Sequence, residues 1–187
     1  MILLVDNNDS FTYNIVELLR STTNKQVSVF NHRDVTVSLA AHYDTLIFSP
    51  GPLLPCNFPI MKALLAQYDN CKAILGICLG HQAICQYYGA TLVQSDVVFH
   101  GEPSLIDCKP DSILFSGVTN MIVGRYHSWL ATDIPVDLRV TARDAHGAVM
   151  AVGHLKKRVF GVQFHPESYI TEAGELILKN FLYATAK

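Results

Sequence analysis

The pattern of apolar and polar residues divides the 187-residue chain into short segments of two kinds. Short unbroken apolar runs are typical of buried strands, whereas apolar residues spaced three or four apart are typical of amphipathic helices. The two patterns alternate in the first half of the chain. They predict strands at Ile2–Val5, Gln26–Phe30, Thr45–Phe48 and Ala73–Ile77, and helices at Phe11–Leu19, Phe58–Tyr68 and Leu79–Tyr88. Ser10 favours the N-cap position of the first helix.

This alternation predicts an α/β fold with an open, mainly parallel sheet and helices on both faces. In such sheets, ligands bind beyond the carboxyl ends of the strands. Asp6, the segment Ser49–Pro52 and Cys78 each follow a predicted strand directly. We therefore expect them to lie together at one edge of the sheet.

The second half of the chain is richer in short strands and turns. Strands are predicted at Ser104–Asp107, Met121–Arg125, Leu138–Ala142, Ala148–Val152 and Val159–Phe164, and a closing helix at Glu172–Ala184. Short strands without intervening helices favour antiparallel additions to the sheet, or a small flanking sheet. No linker, internal repeat or low-complexity segment interrupts the chain, so one domain spanning residues 1–187 is predicted.

Composition and charge exclude several classes of protein. Half of the residues are hydrophobic and 16% are charged, which disfavours disorder, and a net charge of −2 favours neither nucleic acid nor an anionic membrane as a partner. The apolar N-terminal run stops at Asp6, too early for a secretory signal, and no run is long enough to span a membrane. The five cysteines are odd in number and lack metal-ligand spacing, so a reducing cytoplasm is the expected location.

The stretch Gly76–Gln82 is the strongest candidate for chemistry. A predicted strand runs into Cys78 and a predicted helix follows it, with Gly76 and Gly80 two positions to either side. This is the spacing of a nucleophile elbow, in which glycines permit a sharp strand-to-helix turn. The helix N-terminus favours a thiolate, so we predict that Cys78 is a nucleophile rather than a packed core thiol.

A cysteine nucleophile needs a base, and the base needs a group that orients it. His165 follows the predicted strand Val159–Phe164, and Glu167 lies two residues further on, across Pro166. In near-extended backbone these two side chains point to the same side. Cys78, His165 and Glu167 are therefore a candidate triad of nucleophile, general base and orienting carboxylate. The Gly51 amide in Ser49–Pro52 can join the Leu79 amide in an oxyanion hole.

These motifs together resemble those of the class I, or triad, glutamine amidotransferases. The resemblance rests on Pro-Gly-Pro at 50–52, Gly-x-Cys-x-Gly-His-Gln at 76–82 and Phe-His-Pro-Glu-Ser at 164–168. The opening Asp-Asn-Asn-Asp-Ser-Phe-Thr at 6–12 resembles, more narrowly, the glutaminase subunits of anthranilate synthase and aminodeoxychorismate synthase. The likeness extends from Ile2 to Phe181 and implies a flavodoxin-like sheet.

The resemblance also implies a substrate, a partner and their contacts. L-glutamine is the expected substrate, bound by Gly51, Pro52, Gln82, Ser128 and Trp129. The ammonia is expected to pass to a chorismate-using synthase, which would hold Mg²⁺, whereas this chain would need no metal or organic cofactor. The residues expected to face that synthase are Asp9, Ser10, Phe11, His100 and Gly101.

The sequence departs from the family pattern at Asn8, Leu53, Glu102 and Trp129, where Tyr, a small residue, Lys and Leu are usual. Leu53 and Trp129 are positioned to reshape the glutamine pocket, and Glu102 reverses a charge at the expected interface. Three alternatives stay open at this point. They are an amidotransferase for a different acceptor, a cysteine hydrolase that acts without a partner, and a non-catalytic regulatory subunit. Anthranilate and aminodeoxychorismate synthesis are not separated by the sequence.

Overall fold

The structure, a computed structural model, describes residues 1–184, so the last three residues of the predicted domain lie outside the described part. Its helices are α1 (Thr12–Thr22), α2 (Val37–Ala40), α3 (Pro59–Tyr68), α4 (Leu79–Tyr87) and α5 (Gly174–Ala184). Its strands are β1 (Ile2–Asp6), β2 (Val27–Asn31), β3 (Thr45–Phe48), β4 (Ala73–Ile77), β5 (Thr91–Gln94), β6 (Glu102–Cys108), β7 (Asn120–Arg125), β8 (Trp129–Thr132), β9 (Leu138–Asp144), β10 (Val149–His154) and β11 (Val159–Val162).

Nine of these strands form one sheet in the order β2-β1-β3-β4-β11-β10-β9-β6-β7. The five strands from β2 to β11 pair in parallel, and the remaining four extend the sheet in antiparallel pairing. Strands β5 and β8 form a separate antiparallel pair. The predicted α/β fold with a mixed sheet is confirmed. Both expected arrangements of antiparallel strands are present, as additions to the main sheet and as a small separate sheet.

Helices cover both faces of the parallel strands, as predicted. Alternate residues of β1 point to opposite sides: Ile2 and Leu4 pack in one cluster with α1 and α5, while Leu3 and Val5 pack in another with α3 and α4. Because side chains alternate along a strand, an all-apolar strand supplies both layers at once. This double coverage explains why β1, β3 and β4 read as unbroken apolar runs.

The N-cap prediction at Ser10 is wrong. Helix α1 begins at Thr12, its N-cap residue is Phe11, and no side chain caps it there. Ser10 is exposed, and the loop is held instead by Asp9, whose Oδ1 accepts from the Phe11 amide at 2.8 Å. The carboxylate of Asp6 accepts from the Thr12 hydroxyl, also at 2.8 Å. A carboxylate that accepts hydrogen bonds from several nearby amides stabilises this turn more than a single hydroxyl would.

Three elements were not predicted: α2, β5 and β8. Helix α2 is four residues long, too short to show a helical period. Strand β5 is mostly exposed and β8 is half-buried, so neither presents an unbroken apolar run. In addition, β11 ends at Val162 rather than Phe164. His165 is therefore preceded by two residues of loop rather than directly by the strand. No helix within residues 1–184 combines the length and apolar character needed to cross a membrane.

Candidate active site

Cys78 lies between β4 and α4 in a strained backbone conformation, with φ 51° and ψ −100°. A positive φ is uncommon for a residue other than glycine and persists only where the surroundings enforce it. The Cys78 amide donates to the carbonyl of Val162 at 2.8 Å, which ties the turn to β11. The residue Cys78 is 6% exposed, at the start of α4.

The two flanking glycines are required by close packing. A Cβ at Gly76 would lie 2.3 Å from the carbonyl carbon of Gly80, and one at Gly80 would lie 2.6 Å from the carbonyl oxygen of Phe48. Neither space admits a methyl group. The strand-to-helix turn predicted around Cys78 is therefore present, and it depends on both glycines for steric reasons.

His165 and Glu167 form a buried pair beside the thiol. The Nδ1 atom of His165 lies 2.7 Å from Oε1 of Glu167, and both side chains are almost fully buried. The Nε2 atom, on the other side of the ring, has no partner of ordinary hydrogen-bond geometry among the described residues. The Cys78 thiol lies close enough to His165 to favour the protonated imidazole, and contacts between catalytic groups are often loose before substrate binds.

The surroundings of His165 favour its protonated form. Burial alone lowers the pKa of His165, but hydrogen bonds to Cys78 and Glu167 and the charges of both raise it well above the usual range. Asp9 lies close enough to His165 for the histidine to oppose the burial-driven rise in the pKa of Asp9. The site can therefore hold a proton on the imidazole of His165.

Two aromatic rings cover the outer side of His165. The ring centroids of Tyr126 and Phe11 lie 4.8 and 5.4 Å from that of His165. His100 packs against Tyr126 at 6.3 Å, and a Cβ at Gly101 would lie 3.5 Å from the same ring. The loops predicted to face a partner thus lie next to the aromatic rings that cover His165.

The Pro-Gly-Pro loop lies against the start of α4. A Cβ at Gly51 would fall 2.7 Å from both the Leu79 side chain and the carbonyl oxygen of Asn7. The buried Asn7 holds the loop through its amide to Ser49 Oγ and through its Nδ2 to the Ser49 carbonyl, both at 2.9 Å. Gly51 and Leu79 are therefore adjacent, and Pro52 is exposed beside them.

The remaining predicted substrate residues lie on α4 and at the start of β8, which are joined by a hydrogen bond. The Nε2 atom of Gln82 donates to the carbonyl of Trp129 at 3.1 Å, which links α4 to the start of β8. The carbonyl of Ser128 accepts from the amide of Ser95 at 2.8 Å. His81, next to Gln82, is fully buried, and burial lowers the pKa of His81 to about 4.

The departures from the family pattern lie on the surface around this site. Asn8 has φ 62° and bonds to Asn31 and His32. Leu53 has φ 67° and is 69% exposed, and Glu102 is exposed on β6. Trp129 is half-buried at the start of β8.

Sequence reasoning missed two buried polar residues near the site. Arg125 is 2% exposed and pairs with Asp144, and Gln163 is fully buried with its Nε2 atom 3.6 Å from Cys78 Sγ. The sequence did contain one indication of these residues, namely a polar residue within a strand that is predicted to be buried. Arg125 and Gln163 both occupy such positions, where an unpaired polar group would be costly.

Comparison with known proteins agrees with this geometry. A family model described as glutamine amidotransferase class-I matches residues 3–185. Anthranilate synthase component 2 of Thermus thermophilus is 40% identical over 186 residues, covering 97% of this chain and 91% of that protein. Aminodeoxychorismate synthase component 2 of Klebsiella aerogenes is 39% identical over 189 residues, covering 97% and 99%.

A crystal structure of a protein from Thermoplasma acidophilum, described as part of a GMP synthase, has the same fold. The TM-score is 0.89 at 24% identity, covering 99% of this chain and 93% of that one. Because the family model spans nearly the whole sequence, the family is established. The chain belongs to the class-I glutamine amidotransferases, and its relatives include component-2 proteins of anthranilate and aminodeoxychorismate synthases.

Proposed function

We propose that this chain is the glutaminase subunit of a chorismate-using synthase, with Cys78, His165 and Glu167 as its catalytic triad. The observation that carries the proposal is the buried His165–Glu167 pair, 2.7 Å apart, whose second ring nitrogen has no hydrogen-bond partner among the described residues. The Cys78 thiol at the nucleophile elbow lies close enough to influence this histidine. A structural histidine would ordinarily have both ring nitrogens satisfied.

The chemistry follows from these three groups. The Cys78 thiolate attacks the side-chain carbonyl carbon of glutamine, and His165 Nε2 protonates the departing nitrogen, so that the C–N bond breaks and ammonia leaves. His165 then takes a proton from water, the hydroxide attacks the thioester, and glutamate departs as the thiolate is restored. Glu167 holds the imidazole in place throughout. We propose that this half-reaction needs no metal or organic cofactor in this chain.

The oxyanion formed in both steps requires nearby donors. The amides of Gly51 and Leu79 are the candidates, because Gly51 lies against the Leu79 side chain and Leu79 begins α4. Amides in the first turn of a helix have no partner within the helix, and the dipole adds to their effect. Removing one such donor commonly costs about 10²–10³-fold in kcat.

The amino-acid end of glutamine is assigned to the groups behind the thiol. Both Nε2 hydrogens of Gln82 are used, by Trp129 O and Gln163 Oε1, which leaves the Gln82 oxygen to accept from the substrate ammonium. The backbone amides of Ser128 and Trp129 are the proposed donors to the substrate carboxylate, and the loop at Gly51 and Pro52 closes the other side.

The proposed partner is a synthase that uses the ammonia on chorismate, with Mg²⁺ in that partner. The names of both relatives support it, since each is one component of a larger synthase. The loops at Asp9–Phe11 and His100–Gly101 surround the His165 side of the site, where ammonia would leave. Glu102, exposed beside them, implies a basic residue on the facing surface of this chain's own partner.

The test is glutamate release from glutamine by the chain alone and with each chorismate-using synthase from the same source. We expect release that one or both synthases stimulate, and that Cys78→Ser abolishes. Stimulation by one synthase identifies the pathway, and stimulation by both indicates a glutaminase that the two synthases share.

The control is synthesis from free ammonia, which needs only the synthase. Cys78→Ser in the complex should leave that activity unchanged. No stimulation by either synthase would overturn the proposed partner and favour a different acceptor enzyme. Release that persists in Cys78→Ser would overturn the triad.

A further inference from the structure

A continuous series of buried polar contacts leads from an ion pair in the antiparallel part of the sheet to the Cys78 sulfur. Its members, in order, are Asp144, Arg125, His127, the Trp129 carbonyl, Gln82, Gln163 and Cys78. These residues come from four separate segments of the chain. The proposed reaction gives a role to only three of them.

The far end of the series is rigid. The NH1 atom of Arg125 lies 2.7 Å from Oδ2 of Asp144, with the two side chains only 2% and 5% exposed. The other oxygen of Asp144 accepts from the amides of His146 and Ala148. The guanidinium also stacks on Phe99, 3.5 Å from the ring centroid. A buried guanidinium with so many contacts cannot easily change its orientation.

Arg125 determines the tautomer of His127. Its Nε–H donates to Nε2 of His127 at 3.1 Å, and an arginine nitrogen can only donate. The proton of His127 is therefore on Nδ1, which donates to the carbonyl of Trp129 at 3.1 Å. Burial, followed by the charge of Arg125, lowers the pKa of His127 to about 3, so this neutral form persists at all physiological pH values.

The Trp129 carbonyl then determines the orientation of two carboxamides. A carbonyl can only accept, so the group of Gln82 that faces it at 3.1 Å is the NH₂. The second hydrogen of that NH₂ needs an acceptor, and Gln163 supplies Oε1 at 3.2 Å. Gln163 must therefore present its own NH₂ to Cys78 Sγ, at 3.6 Å.

We propose that Gln163 is a further catalytic residue, which donates a hydrogen bond to the sulfur of Cys78, while Gln82, His127 and Arg125 act as positioning residues that keep this donor aimed. The inference deepens the proposed function, since it concerns the same nucleophile. A donor to sulfur stabilises the thiolate more than the thiol and restricts the side-chain rotation of Cys78. The opposite orientation of the amide would place an oxygen against the sulfur and repel negative charge.

The ionisable groups that face the thiol are on different elements. His165, in the loop after β11, interacts with the thiol. Glu167 and Asp9 both interact with the His165 ring. His81 and His127 lie deeper, and burial holds the pKa of each well below its usual range. Loss of the Gln163 donor changes none of these charges, so its effect on the thiol can be measured separately.

The test measures alkylation of Cys78 by iodoacetamide against pH in the full chain, by mass spectrometry of the peptide that contains Cys78. A Cys56→Ser/Cys71→Ser background removes the two exposed thiols. Gln163→Glu keeps the shape of the side chain but replaces the donor, and Gln163→Met removes it without adding charge. We expect Gln163→Met to move the midpoint of alkylation upward by about 1 pH unit, the usual effect of losing a hydrogen bond to a charged group. Gln163→Glu should move it at least as far, because the added carboxylate repels the thiolate, and both should lower glutamine hydrolysis about 10- to 100-fold.

The matched control is Gln86→Glu, the same change on the exposed face of α4. It should leave the midpoint unchanged. The positioning residues are tested at His127: His127→Phe should raise the midpoint, whereas His127→Gln, which can both accept from Arg125 and donate to Trp129, should restore it. A merely structural role would not produce this difference between two folded variants.

Thermal unfolding confirms that each variant is folded at the temperature used. An unchanged midpoint in folded Gln163→Met would overturn the inference, as would equal midpoints for the two His127 variants. Because alkylation requires no glutamine, this result is independent of the proposed function. A chain that releases no glutamate with any synthase, yet shows the shift, would overturn the function and retain the role of Gln163.

Discussion

At the scale of single residues, Leu53 has an unusual conformation in the loop that follows the Pro-Gly-Pro motif. It has φ 67° and is 69% exposed, two residues after the Gly51 of the proposed oxyanion hole. A left-handed conformation costs a non-glycine residue about 1–2 kcal/mol. No burial of the side chain offsets this cost within the chain itself, so the strain falls in the loop that contains the proposed oxyanion-hole residue Gly51.

We expect Leu53→Gly to be more stable than Leu53→Ala by about 1 kcal/mol in the free energy of unfolding. Both variants remove the same exposed side chain, but only glycine relieves the positive φ, and this gain outweighs its larger loss of chain entropy. Urea denaturation of the two variants is the measurement. Equal stability, or a more stable alanine variant, would show that the loop relaxes away from this conformation.

At the scale of elements, the β4–α4 junction shows how packing and chemistry depend on the same positions. Gly80 allows α4 to begin directly against Phe48 on β3, and Gly76 leaves room for the Gly80 carbonyl. The strained φ of Cys78 is maintained by these contacts and by its hydrogen bond to Val162. The position and backbone conformation of Cys78 are therefore properties of the junction rather than of the cysteine alone.

Gly80→Ala should both destabilise the protein and impair the site. The added Cβ would meet the Phe48 backbone at 2.6 Å, and forced overpacking of this kind costs about 1–3 kcal/mol or more. We expect a lower Tm and at least tenfold slower alkylation of Cys78, because α4 must move away from β3.

Gly89→Ala provides the comparison. Gly89 has φ 108° and open space around it, so alanine there strains the backbone without a steric clash at the elbow. It should lower the Tm but leave the alkylation rate of Cys78 unchanged. Impaired alkylation in both variants would mean that general loss of stability, not the junction, controls the thiol.

At the scale of the whole molecule, buried histidines give the protein a pH-dependent stability. Burial lowers the pKa of His81 to about 4 and that of His127 to about 3. Both therefore stabilise the fold above pH 6.5, and this contribution is lost as the pH falls towards those values. His165 acts in the opposite sense: its raised pKa gives a contribution that is complete below pH 6.5 and is lost as the pH rises through the folded-state value.

Between pH 6.5 and 5, His81 and His127 should each lower the free energy of unfolding by about 2 kcal/mol, since only the unfolded state takes up the proton. Urea unfolding at the two pH values measures this change. His127→Gln should remove its share, about 2 kcal/mol, from the total change. His146→Gln, at an exposed position on the β9–β10 turn, should not alter it. The same change in His127→Gln as in the unsubstituted chain would assign the pH dependence to other groups.

The pattern of apolar residues alone was enough to predict the parallel strands, most of the helices and the mixed α/β class. These features were predictable because each depends on residues close together in the sequence: an apolar run, a helical period, or glycines two positions from a cysteine. The same local logic placed Glu167 beside His165 and predicted Ser49–Pro52 and Cys78 at one edge of the sheet. The structure places these residues accordingly, and their catalytic roles stay predictions.

Only the tertiary structure decided which buried polar groups meet. Gln82 and Gln163 are 81 residues apart, and Gln163 and Cys78 are 85 apart, so no periodicity connects them. The pair Arg125–Asp144 likewise forms only because β7, β6 and β9 are neighbours in the sheet. Hydrogen bonds depend on distance and donor direction to within a fraction of an ångström, and such geometry arises when separate strands pack. The sequence by itself therefore determined most of the elements and the reactive residue types, whereas packing determined the network that orients them.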